Sequence, residues 1–320
     1  MKSILRWIKF LYKVIDMEII DLNSYEEKKY ETAVALGNFD GIHIGHQYLI
    51  KEMIKKAKER NLRSSILLFK NHTKTILKNN CNNSLHIITS NNQKLEILDK
   101  LGIEIVYTIN FDENIMKLTG KEFVEDIIIG KLNSKLVTVG FDYKFGYKAL
   151  GDSNYLKQLG MEKGFSVNVI NPIYIGEDIV SSTIIRNLIK EGNIDKGNKL
   201  LGRYYTIMGT VVEGKNRGNK IGYPTANIKL DHNYILPRIG VYKTITLLED
   251  KKYLSLTSIG YNPTFKEKEL KIENHILNFN DNIYGKPIEV KFIEFIRDDI
   301  KFDTAKELIK QIKRDIESIK

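Results

Sequence analysis

At 320 residues the chain is about twice the length of an ordinary domain, and its 42% hydrophobic, 10% aromatic and 28% charged residues exclude a disordered, collagen-like or fibrous protein. Its 50 basic and 40 acidic side chains leave a net charge of +10, which attracts phosphate-bearing partners without choosing among them. The single cysteine, Cys81, has no partner for an internal disulfide and stands among asparagines, so a reducing cytoplasm is the expected compartment.

No apolar run approaches the roughly 18 residues needed to cross a bilayer. The lysines are spread over predicted helix faces instead of gathering in one patch, so neither a membrane nor a nucleic acid is expected as a partner. Residues 1–16 are apolar and basic, but Arg6, Lys9 and Lys13 interrupt them and no small-residue cleavage site follows. Met17 opens a stretch that reads as a normal domain start, so 1–16 is expected to be a dispensable extension.

From Met17 the pattern alternates strand and helix. Thr32 to Leu36 reads as a buried strand ending at Gly37, and Leu49, Ile50, Met53, Ile54 and Ala57 fall on one helical face. Strands follow at Ser65 to Phe69, Ile105 to Ile109, Leu136 to Val139 and Ser166 to Ile170. Helices are expected at Lys94 to Leu101, closed by Gly102, at Phe123 to Ile129 and around Leu156. Repeated β–α units imply a Rossmann-like parallel sheet covered by helices. This domain is expected to span 17–186, with a linker at 187–202 marked by Gly192 and Gly197.

Beyond Gly202 the period changes to two. Runs such as TIMGTVV, VYKTITLL, YLSLTSIG and IEVKFIEFI are separated by Gly, Asp, Asn and Pro turns, so 203–320 should be a mainly antiparallel β-barrel domain. The chain closes with a helix whose Ala305, Leu308, Ile309, Ile312, Ile316 and Ile319 share a face. Thr304 and Glu307 have the spacing of a capping box, and the helix should pack on the barrel.

The most informative stretch is GNFDGIHIGH, from Gly37 to His46, between a strand and a helix at the carboxyl end of the sheet, where ligands of open α/β sheets bind. Gly37, Gly41 and Gly45 let backbone approach phosphate oxygens, and His43 and His46 can donate hydrogen bonds near a helix N-terminus. Ordinary capping or core histidines are the bland alternative. SSTIIRNLI, from Ser181 to Ile189, begins with N-cap hydroxyls and carries Arg186 one turn in. It is either a well-capped amphipathic helix or a phosphate clamp made by Ser181, Ser182, Thr183 and Arg186.

In the second half, GKNRGNKIGYPTANI places Gly214, Gly218 and Gly222 ahead of Thr225 and Asn227. A glycine-spaced loop can fold over phosphates, and Thr225 and Asn227 offer oxygens to a hard cation such as Mg²⁺. Read alone, the glycines and Pro224 say only that the chain turns.

GNFDGIHIGH resembles the HIGH motif of the nucleotidyltransferase superfamily. Together with VGFDYKFG (Val139 to Gly146) and SSTIIRNLI, it is similar to the FMN adenylyltransferase module of prokaryotic bifunctional FAD synthetases. The order PTAN, ILPRIGVY, SIGYNPTF and IENHILNF resembles the riboflavin kinase signature, and the likeness runs from Met17 to the C-terminus. The resemblance implies two ATP-dependent steps, riboflavin to FMN and then FMN to FAD with release of pyrophosphate, both with Mg²⁺. It implies nucleotide contacts from Gly37, Asn38, Phe39, Asp40, Gly45, Asp142, Ser181, Ser182 and Thr183 in the adenylyltransferase, with His43, His46 and Arg186 stabilising charge. In the kinase it implies ATP contacts from Gly214, Gly218, Gly222 and Thr225, Mg²⁺ ligation by Thr225 and Asn227, and Glu273 as the base for the ribityl hydroxyl. His72 and Arg297 are the implied flavin contacts, although Arg297 also suits a salt bridge to Asp298 or Asp299. The chain departs from the family at Asn71-His72-Thr73, where Pro-His-Pro is usual, and at Asn219, where arginine is common.

An attacking phosphate is already ionised and needs positioning and charge neutralisation, whereas an alcohol needs a base. Two other readings compete. A different HIGH-type nucleotidyltransferase, such as a pantetheine-phosphate or cytidylyl enzyme, leaves the PTAN half unexplained. A basic nucleic-acid-binding protein accounts for the charge but for none of the motifs. The oligomeric state is open.

Overall fold

A computed structural model describes residues 17–24, 30–70, 86–214, 218, 221–261 and 270–320. They form two compact units, one from the described parts of Met1–Leu85 and Asn91–Ile179, the other from His86–Ser90 and Val180–Lys320. The expected extension at 1–16, the departures at Asn71 to Thr73 and at Asn219, and the implied flavin contact His72 lie outside the described residues.

The first unit holds a six-stranded sheet of β1 (Glu18–Asp21), β2 (Thr32–Ala35), β3 (Arg63–Phe69), β4 (Ile105–Ile109), β5 (Ser134–Gly140) and β6 (Ser166–Ile170), in the order β1-β4-β3-β2-β5-β6. Every neighbouring pair is parallel. The central strands β2, β3, β4 and β5 are largely buried on both faces, which explains why apolar residues dominate them. Alternation then sends Ala33, Ala35, Ile66, Leu68 and Leu136 to a core shared with Leu49, Ile50 and Met53 of helix α1 (Ile44–Glu59). Val34, Leu67, Val137 and Val139 go to the other face, against Phe123, Val124, Ile127 and Ile128.

Helix α2 (Asn91–Leu101) ends at Gly102, whose φ of 84° is open to glycine at no steric cost. The helix expected at Phe123 to Ile129 is wound as a π-helix over Phe123–Lys131. Helix α3 (Ser153–Lys163) is capped by Asp152 and stopped at Gly164 with φ 78°. The Tyr155 and Asn154 amides hold the Asp152 carboxyl below its ordinary range. Sheet order reverses between the adjacent strands β2 and β5, so the loops leaving these two strands flank the topological switch point.

The second unit is a closed barrel of β7 (Tyr205–Val212), β8 (Ala226–Leu230), β9 (Gly240–Leu248), β10 (Lys251–Tyr261), β11 (Leu270–Ile276) and β12 (Pro287–Arg297), ordered β7-β8-β11-β10-β9-β12. All of its ladders are antiparallel, and closure leaves no edge to aggregate. Tyr205, Tyr242 and Phe292 pack as a ring cluster, with centroids 5.9 and 5.4 Å from Phe292. Beside them Thr246, Asn274, Thr257, Thr244 and Ser255 close a circuit of side-chain hydrogen bonds at 2.8 to 3.0 Å. These side chains are fully buried, and each hydroxyl or amide satisfies the next.

The stretch expected as a linker is instead folded into this unit. Helix α4 (Ser182–Glu191) runs across the expected boundary, and α5 (Ile194–Leu201) follows after Gly192, with φ 81°. Asn198 donates from Nδ2 to the Phe292 carbonyl at 2.9 Å and accepts from the Tyr205 amide at 2.6 Å, which ties α5 to β12 and β7. Gly192 marks the end of α4, and Gly197 is a buried residue inside α5, so neither belongs to a flexible tether. The short segment His86–Ser90 also joins this unit, through a parallel bridge of Ile87 with Tyr234.

Helix α6 (Ala305–Ile319) starts with the expected capping box of Thr304 and Glu307. Its Ile319 and Ile316 pack against Val241, Leu254, Leu256 and Ile296, which covers one outer face of the barrel.

Candidate functional site

The loop leaving β2 is buried and strained. Phe39 and Ile42 are fully buried with φ of 47° and 34°, and Gly41 has φ 87°. Positive φ at a bulky residue persists only where the surroundings over-determine it, and such strain gathers at ligand sites. A Cβ at Gly37 would stand 3.3 Å from the Phe39 ring, so the glycine makes room for that turn. His43 is the N-cap of α1, and its Nδ1 accepts from the His46 amide at 3.3 Å. The two imidazoles stack at 3.7 Å with 18° between planes, and the Phe39 ring meets His46 edge-on at 5.2 Å. Capping and ligand binding are therefore not alternatives for His43, because the cap fixes the ring that lies against His46.

Asp40 is 2% exposed within this loop, and the Asn38 carbonyl accepts from Lys94 Nζ at 3.4 Å. On the neighbouring strand, Asp142 lies exposed in the turn after β5, with an oxygen where a Gly140 side chain would sit. Behind it, Phe145 is buried and stacks on Tyr143 at 5.8 Å and Tyr155 at 6.1 Å. Gly146, at φ 72°, packs against the backbone of Gly120. Phe145 and Gly146 thus shape the turn that presents Asp142. Burial pushes the Tyr143 phenol well above its ordinary range.

Ser181 caps α4, accepting from the Ile184 amide at 3.3 Å. Ser182, Thr183 and Arg186 stand in the first turns of that helix, with Thr183 exposed and Ser182 and Arg186 half-buried. Ile185, Leu188 and Ile189 are the buried residues of that helix.

In the barrel unit Gly214 and Gly218 pack directly on the PTAN segment. A Cβ at Gly214 would fall 1.9 Å from Asn227 Nδ2, and one at Gly218 would fall 2.3 Å from the Tyr223 carbonyl and 3.3 Å from Thr225 Oγ1. Gly222 has φ 82°. The Gly218 carbonyl accepts from the Tyr223 amide at 2.9 Å. Asn227 is the register partner of Glu273 across the β8–β11 ladder, and Ser258 is the partner of Glu273 on its other side. Glu273 is half-buried.

Among the described residues no group of three or more His, Cys, Asp or Glu could hold a metal ion. Thr225 and Asn227 offer neutral oxygens, a donor set that fits Mg²⁺ brought in with nucleotide phosphates better than a metal caged by protein.

Arg297 is placed differently from expectation. Its Nε and Nη2 donate to Asp315 of α6 at 2.8 to 3.0 Å, and its Nη1 donates to the Asp298 carbonyl at 2.9 Å. The expected carboxylate partners were Asp298 and Asp299, but the helix supplies Asp315, which is only 4% exposed. A tie between β12 and α6 suits this arginine better than a flavin contact. Nothing in local spacing links Arg297 to a carboxylate on a later helix.

Sequence reasoning also passed over His275, whose Nδ1 lies 2.7 Å from the Pro224 carbonyl. Its position two residues after Glu273, on the same strand face, was the available signal.

Residues 25–184 match the model of the FAD synthetase family, and residues 201–320 match that of riboflavin kinase. The bifunctional riboflavin kinase/FMN adenylyltransferase of Listeria monocytogenes is 37% identical over 283 residues, covering 88% of this chain and 89% of that protein. The enzyme of the same name from Bacillus subtilis is 32% identical, with 91% and 92% covered. A crystal structure titled macrolide-efflux protein, from Streptococcus pneumoniae, superposes with a TM-score of 0.86 at 32% identity over 94% of this chain and 98% of that one. That title names transport, yet no helix among the described residues here is long and apolar enough to cross a membrane. Family matches to both halves and relatives aligned along nearly their whole length agree on one conclusion: the chain belongs to the bifunctional riboflavin kinase/FMN adenylyltransferase family.

Proposed function

We propose that the barrel unit phosphorylates riboflavin to FMN and that the histidine loop of the first unit transfers the adenylyl group of ATP to FMN, giving FAD and pyrophosphate. The in-register pair Asn227 and Glu273 carries the kinase half of this reading. It sets a carboxylate beside an amide oxygen on the strand that follows a glycine-rich turn.

In the kinase step Glu273 accepts the proton of the ribityl 5′-hydroxyl while that oxygen attacks the γ-phosphorus, and ADP leaves. Gly214, Gly218 and Gly222 let the loop backbone close over the phosphates. Thr225 and Asn227 would hold Mg²⁺, which supplies charge neutralisation on the phosphate oxygens.

In the adenylyl step the FMN phosphate is already an anion, so no base is needed. His43 and His46, stacked and fixed at the start of α1, donate to the α-phosphate region as its charge develops. Asp40 and Asp142 orient the nucleotide from adjacent strand ends. The compartment that fits is the cytoplasm, where riboflavin and ATP are both available.

The test is direct. Purified chain is incubated with riboflavin and Mg-ATP, and flavins are separated by chromatography. FMN and then FAD should appear. Folded protein that produces neither would overturn the reading.

A further inference from the structure

We propose that His275 is a positioning residue for the ATP-phosphate loop of the barrel, acting through the Pro224 carbonyl. The proposal rests on the kinase reading above. The β8–β11 ladder pairs Asn227 with Glu273 and Ala226 with Asn274. Two residues beyond Glu273 on β11, His275 projects to the same side of the strand, because side chains alternate along it. Glu273 and His275 therefore lie on the face that carries Thr225 and Asn227, while Asn274 turns into the barrel and is held there by Thr246 and Thr257.

Ladder pairing stops at Ala226, so Pro224 and Thr225 need another tie to β11. His275 provides it at 2.7 Å. A carbonyl only accepts, so Nδ1 carries the proton and the tautomer is fixed. The Tyr223 ring meets the imidazole edge-on at 5.6 Å and 70°, which limits its rotation. Tyr223 is in turn bonded through its amide to the Gly218 carbonyl. One side chain thus anchors Gly218 and the Thr225–Asn227 oxygens to the strand that bears the base. A proline at 224 suits this arrangement, because it has no N–H to lose and its carbonyl is the group being held.

The experiment compares the wild-type full chain with His275→Ala and His275→Asn, since the asparagine Nδ2 can donate near the position of Nδ1. Kinase kinetics are read with riboflavin and Mg-ATP varied separately, and adenylyl transfer from supplied FMN serves as the internal control. Amide hydrogen exchange without nucleotide is the second readout. For His275→Ala the KM for Mg-ATP should rise about tenfold, the loss expected from one hydrogen bond, with the riboflavin KM within about twofold. Exchange should quicken at Tyr223 and Thr225 but not in β9 and β10, and His275→Asn should recover most of both effects.

An unchanged KM for Mg-ATP with unchanged exchange in His275→Ala would overturn the proposal. Faster exchange across the whole barrel would do so too, by showing a general structural role, as would a folded His275→Asn no better than alanine. If wild-type protein makes no FMN, the kinase reading falls and takes this proposal with it. That case is distinguished by failure in the wild type and not in the variant.

Discussion

Asn227 and Glu273 face each other across the β8–β11 ladder, an amide and a carboxylate on one face of two antiparallel strands. Opposed Cβ atoms in such a pair stand about 4.5 to 5.5 Å apart. Under the proposed kinase reading, that spacing sets the Mg²⁺ ligand Asn227 close to the base Glu273. The two groups are held at that distance by backbone hydrogen bonds, so their relation does not depend on a flexible loop.

Glu273→Gln keeps the size and the register of this pair and removes the base. FMN formation should fall by at least about a hundredfold, within the range that a positioned general base contributes. FAD formation from supplied FMN should stay near the wild-type rate, because that step needs no base. Chromatographic product ratios measure both at once, and loss of both activities in a folded variant would defeat the model of independent sites.

His43 caps α1, and the proposed adenylyl step gives it a second, separable duty. His43→Ala deletes the N-cap acceptor of α1 and the ring stacked on His46, so stability should drop by about 1 kcal/mol and FAD synthesis by about a hundredfold or more. His43→Asn replaces the cap acceptor but not the imidazole. The thermal midpoint should return while FAD synthesis does not, and FMN should accumulate from riboflavin. Recovery of FAD synthesis in the asparagine variant would reduce His43 to a cap.

Gly214→Ala tests the loop without removing any polar group. The new Cβ would overlap the Asn227 amide, which is the end of a side chain and can swing away. The protein should fold with little change in midpoint, and the KM for Mg-ATP should rise while adenylyl transfer is untouched. Gly209→Ala is the contrasting case. There the Cβ meets the Lys229 carbonyl at 2.5 Å, and backbone cannot yield as a side chain does, so stability itself should fall.

Much of this was legible because period and punctuation carry it. The apolar runs of β2 to β5 reflect burial on both faces, and Gly102 and Thr304 mark helix ends by local chemistry alone. The glycine and histidine motifs could be found because phosphate binding needs backbone approach at fixed spacings. What stayed hidden depends on contacts distant in sequence. Residues 187–202 looked like a linker because Gly192 and Gly197 break a pattern, and only the Asn198 bonds to Phe292 and Tyr205 show the segment to be built in. The polar circuit inside the barrel is likewise invisible along the chain. Thr244, Thr246, Ser255 and Thr257 read as ordinary strand residues until closure turns them toward Asn274.

Arg297 offers the sharpest separation of a structural role from a ligand role. Its guanidinium and the Asp315 carboxylate are 17% and 4% exposed, so the pair is largely shielded from water. Asp315→Ala leaves a shielded cation without its counter-charge, and such a break costs about 3 to 5 kcal/mol. Replacing both partners, as Arg297→Met with Asp315→Leu, removes the desolvation penalty together with the attraction, and similar replacements elsewhere are close to neutral. The thermal midpoint should therefore fall in the single variant and largely return in the double. Riboflavin affinity in the double variant then decides the assignment: a KM within about twofold of wild type leaves Arg297 as the tie between β12 and α6. A rise of tenfold or more in that well-folded protein would restore the flavin contact that the family resemblance implied.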